Sequence, residues 1–194
     1  MPLPSLRLRF PLFRRRHLTK RLVRDEDGSA AIEFALVAMP FLLFVLGLLG
    51  MGLYFLASTS LEYGVEAASR KLRTGEAEKG NMTVDSFREL VCQSAGSYID
   101  CGKISTIVQH ASTWSGITPQ TCTDQDGNRV GSTGSSGELI SKYAGSASEV
   151  VLVTLCYEWD LAQRFGFLKL GSSGDGSGPA IIQAATAFKS EPYN

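Results

Sequence analysis

The 194-residue chain has no charged residue between Ala35 and Ala57, no acid before Asp25 and no cysteine before Cys92. Each gap excludes something. An uncharged run of 23 residues cannot be the surface helix of a soluble domain, which keeps a polar face. At ~1.5 Å per residue it reaches roughly 34 Å, enough for a bilayer core of about 30 Å. The absence of acid from a leader holding Arg7, Arg9, Arg14, Arg15, Arg16, Lys20, Arg21 and Arg24 marks the side of the membrane on which it stays. Cysteines confined to the chain beyond the run fit an oxidising compartment there. No CxxC spacing occurs, which argues against zinc. No GxSxG, HExxH or glycine-rich phosphate loop is present either, so no catalytic residue, metal or cofactor is expected. His110 has no Cys, Ser or acid beside it and reads as a surface or core histidine.

What is present sorts along the chain. Residues 1–28 form a basic leader expected in the cytoplasm, with a short acidic Asp25–Asp27 before Gly28. Topology explains the cations better than nucleic acid does, and no nucleic-acid partner is expected. Residues 29–74 are expected to form a single membrane span and its continuation, with Pro40 removing one backbone bond and bending it. A removable signal peptide is the rival reading, but its apolar region is usually only about 7–15 residues. Gly47, Gly50, Gly52 and Ser58 keep a late cleavage open.

Glu33 is the unusual residue, a carboxylate at the head of the apolar run. Such a charge in a span is a functional candidate, although a helix N-terminus at headgroup level would also favour it. Tyr54, Leu61, Val65, Ala68 and Leu72 recur at helical spacing from the end of the run onward and predict a stripe packed on the downstream domain. Arg70–Arg73 followed by Gly75 predicts the stop.

Residues 75–194 are expected to form a small α+β domain outside the cytoplasm, a short helix laid on an antiparallel sheet. Thr83 caps the segment TVDSFRELVCQS, with Phe87, Leu90 and Val91 inward. KISTIVQH, EVVLVTLCYEW and Ala180–Lys189 read as strands, the last with Ile182, Ala184, Thr186 and Phe188 on one face. Thr123–Gly131 has Asp124, Asp126 and Asn128 but no closing Glu, so a polar turn is expected rather than a calcium loop. Gly131–Ser148 and Gly171–Gly178 read as flexible loops. Of the three pairings that four cysteines allow, a local clamp Cys92–Cys101 and a long staple Cys122–Cys156 are favoured.

Gly28, Glu33 five residues on, Phe34 and the apolar helix behind a basic leader resemble the class III signal of type IV prepilins. That resemblance implies cutting between Gly28 and Ser29 by a prepilin peptidase, leaving an ammonium on Ser29 that a buried Glu33 of an adjacent subunit can neutralise. GSAAIEFALVAMP, LEYGVEAASRKLRTG, FRELVC, VVLVTLCYEW and ATAFKSEPY together resemble the TadE-like pseudopilins of the tight-adherence (Flp, type IVc) pilus. The resemblance implies a minor pilin of the bacterial inner membrane, with its C-terminal domain periplasmic or carried into the fibre. It further implies that the chain works with other pilins and the Tad assembly platform in surface attachment and biofilm formation. Ser29 departs from the phenylalanine usual at the first mature position. The alternatives are a membrane-anchored ligand-binding module and, behind it, an anchored exported enzyme.

Overall fold

Helix α1 (Ser29–Arg73) is 45 residues of continuous helix, ~68 Å at the standard rise. The computed structural model describes residues 29–192; the basic leader, Gly28 and Tyr193 lie outside them. Pro40 stands inside the helix, and its ring nitrogen cannot donate to the Leu36 carbonyl one turn earlier. Cationic Arg70, Lys71 and Arg73 fill the last turn, where the helix dipole favours them. Gly75 then takes φ 70°, a left-handed conformation that suits glycine and ends the helix.

The chain divides into two compact units, and the division falls inside α1, between Leu46 and Gly47. In the first unit the described residues are all α1, and their apolar side chains face outward: Phe34 is 75% exposed and Val37 71%. The second unit is α+β. Its sheet has strand order β1-β2-β3, with β1 (Ile104–Ala111) and β3 (Ala180–Lys189) antiparallel to the central β2 (Val150–Trp159). β2 is apolar on both faces because both are covered. Val151, Val153, Leu155 and Tyr157 join the main core with the helices, while Cys156 joins Ile107 and Cys122 on the other side.

The stripe on α1 supplies that main core. Leu61, Val65, Ala68 and Leu72 are buried, Leu61 completely. Removing each large apolar side chain from water contributes roughly 1.5–3 kcal/mol. The C-terminal half of α1 is therefore structural core rather than a stalk. Helix α2 (Val84–Ala95) packs on it, with Thr83 Oγ1 accepting from the Ser86 N–H at 3.2 Å and Phe87 and Val91 fully buried. Leu90, read as inward, is half-buried at the core margin. The helices approach closely at Gly64, where a Cβ would lie 2.8 Å from the Val91 carbonyl oxygen.

Two disulfides brace this unit: Cys92–Cys101, nine residues apart, ties α2 to the helical turn just before β1, and Cys122–Cys156, 34 apart, ties a loop to β2. That loop holds the polar turn, in which Asp124 Oδ1 accepts from the backbone N–H groups of Asp126 and Asn128.

The Gly/Ser-rich stretch Gly131–Ser148 differs from the free excursion expected of it. Its N-terminal part covers the outer edge of β1, where Ser132 Oγ and Thr133 Oγ1 accept from the Thr106 and Val108 N–H groups. Further on, Ile140 inserts into the main core, fully buried, and its N–H donates to the Met82 carbonyl at 2.9 Å. Gly171–Gly178 is likewise pinned, with Ser172 N–H donating to the Pro179 carbonyl at 3.0 Å and Ser172 Oγ to that of Gly127 at 3.3 Å.

Candidate functional site

The sequence-predicted site residues fall in both units. Ser29 is the first residue of α1, and Glu33 lies in its second turn with its side chain exposed. Phe34 and the residues after it present apolar surface on all sides: Leu36, Val37, Met39, Phe41 and Leu42 are each more than half exposed. A helix apolar all round is stable only when something apolar surrounds it, lipid or other helices. Among the described residues this is the one helix long and apolar enough to cross a membrane. The four cysteines belong to the second unit and pair with one another, away from any thiol chemistry.

One polar cluster had no counterpart in the sequence reading. His110 Nδ1 lies 3.0 Å from Glu149 Oε2, joining the ends of β1 and the chain entering β2. The carboxylate also accepts from the Ser146 N–H, and that bond foremost, then the His110 contact, lowers its pKa. Nearby, Glu138 accepts from the Ser135 N–H at 2.7 Å, from Lys142 at 2.9 Å and from Tyr143 Oη at 2.8 Å. These donors, the Ser135 amide first, hold the Glu138 carboxyl down at about 2. An open cleft of about 590 Å³ runs between the two groups, lined also by Glu78 and Leu139. The one signal in the sequence was the i,i+4 spacing of Glu138 and Lys142; the 39 residues between His110 and Glu149 hid the other pair. Among the described residues no three His, Cys, Asp or Glu side chains come together to hold a metal.

The helix, rather than the cleft, is what links this chain to known proteins. No curated protein and no solved structure gives a significant match. Residues 28–70 match the family described as TadE-like protein, and the similarity spans the segment that holds Glu33, the apolar run and most of the buried stripe.

Proposed function

We propose that the chain is a membrane-anchored minor pilin or pseudopilin that acts in assembling the tight-adherence (Flp) pilus for surface attachment and biofilm formation. The observation that carries this reading is a TadE-like helix with Glu33 at its head and an exposed apolar surface behind it. In this reading α1 spans the inner membrane, residues 1–28 stay in the cytoplasm, and the disulfide-braced unit lies in the periplasm. A prepilin peptidase cuts between Gly28 and Ser29. The new ammonium on Ser29 then neutralises Glu33 of a neighbouring pilin, which removes the cost of burying either charge alone. Phe34 and the apolar residues after it pack against neighbouring pilins, and the chain has no chemistry of its own. The test is N-terminal sequencing of the protein from membranes and from sheared pili, with and without the peptidase. A mature form beginning at Ser29 only when the peptidase is present supports the reading; a single unprocessed size in both strains refutes the processing site.

The cleft between His110 and Glu138 favours one second reading, an anchored module that captures an extracellular ligand. Surface binding by cells that carry this chain but no other pilus component would support it.

A further inference from the structure

The segment after β2, residues 161–170 (LAQRFGFLKL), packs on α1 inside the uncharged run. A Cβ on Gly50 would lie 3.0 Å from Leu168 Cδ1 and 3.1 Å from Phe165; one on Gly47 would meet Leu168 and Phe167 within 3.8 Å. Gly47 and Gly50 precede the end of the run at Ala57 by ten and seven residues, or ~15 and ~10 Å along the axis. A span must cover about 30 Å of hydrocarbon. Residues 34–46 supply only ~20 Å, so a span beginning after Glu33 continues to about Leu53. That passes both glycines. The loop docked there consequently lies ~5–9 Å inside the hydrocarbon boundary, the depth typical of interfacial elements, about 5–10 Å.

The composition of the segment suits that depth. Phe167 is 49% exposed and Leu161 42%, apolar side chains left largely uncovered by the described residues. Exposed Arg164 and Lys169 flank Phe165–Leu168, and the segment holds no acid. Just beyond the inferred boundary stand the amphipathic aromatics favoured at such interfaces. Tyr54 packs edge-on against Trp159 with ring centroids 5.7 Å apart, and exposed Tyr98 bonds Ser60.

We propose that this loop is a second membrane contact. Phe165, Phe167 and Leu168 enter the acyl boundary of the bilayer that α1 spans, and Arg164 and Lys169 engage anionic headgroup phosphates. The inference rests on the reading of α1 as a span. Its test separates the two. The full chain, with one added cysteine carrying an environment-sensitive fluorophore, is reconstituted in phosphatidylcholine–phosphatidylglycerol vesicles whose acyl chains are a mixture brominated at positions from near the headgroup to near the methyl end. Phe44→Cys reports the span, Phe167→Cys the loop and Ser136→Cys a solvated control. Quenching at 167 comparable with that at 44, and severalfold above that at 136, is expected. Quenching at 44 with 167 no different from 136 overturns the loop contact and leaves the span. Failure at 44 overturns the span and the loop contact with it. Arg164→Glu with Lys169→Glu should cut the quenching at 167 in these vesicles; unchanged quenching would overturn the headgroup part.

Discussion

Replacing Gly64 with alanine tests whether the C-terminal half of α1 is core. In an open helix the change stabilises by about 1 kcal/mol. Here the added Cβ would sit 2.8 Å from the Val91 carbonyl oxygen and 3.0 Å from Ala95 Cβ, where ordinary contact begins at 3.4 Å. Both neighbours are helix α2 itself, and no flexible side-chain end can swing aside. The helices must separate by roughly half an ångström, an overpacking that costs about 1–3 kcal/mol. The net effect is a loss of about 1 kcal/mol, which lowers the unfolding midpoint by about 2–4 °C for a unit of this size. Gly52, in the same helix, has nothing within 4 Å of its Cβ position, and Gly52→Ala should leave the midpoint unchanged or raise it. Thermal unfolding of the full chain in detergent, followed by near-ultraviolet dichroism, reads both. If Gly64→Ala raises the midpoint as much as Gly52→Ala does, the close α1–α2 packing is wrong.

Gly28→Ala should block or slow conversion to a shorter form; unchanged processing on an immunoblot would move the cut elsewhere. Glu33→Ala should leave membrane insertion intact and impair piliation, so normal pili in the variant would remove the proposed role of that carboxylate. Loop-closure entropy assigns the 34-residue Cys122–Cys156 bridge about 4 kcal/mol and the nine-residue Cys92–Cys101 bridge about 2.5. Cys122→Ala with Cys156→Ala should thus lower the denaturant midpoint more than the other double variant, and the reverse order would refute that ranking. Glu138 has a folded pKa of about 2 against an ordinary 4.5. A depressed carboxylate stabilises above its unfolded pKa, and that contribution fades as pH falls from about 4.5 toward 2. Glu138→Gln should flatten acid unfolding in that window; identical acid titrations would discount the cluster.

Much of the fold was legible because its signals are local. The β-branched run in β2, the Thr83 cap and the Tyr54–Leu72 spacing each follow from short-range rules, and so does the uncharged stretch of α1. What stayed hidden depends on distant partners. Glycine and serine around Ile140 suggest a loose chain, yet one buried isoleucine and a few backbone bonds to Met82 and Val84 pin it. FGFL reads as an ordinary apolar fragment until the glycines of α1 are seen to leave room for it. His110 and Glu149 meet only because β1 and β2 pair antiparallel in the observed register.

Because α1 supplies Leu61, Val65, Ala68 and Leu72 to the main core, the helix that carries the uncharged run is also part of the second unit's packing. A pull on the N-terminal end reaches those side chains together, as shear along a packed face, instead of peeling them one by one.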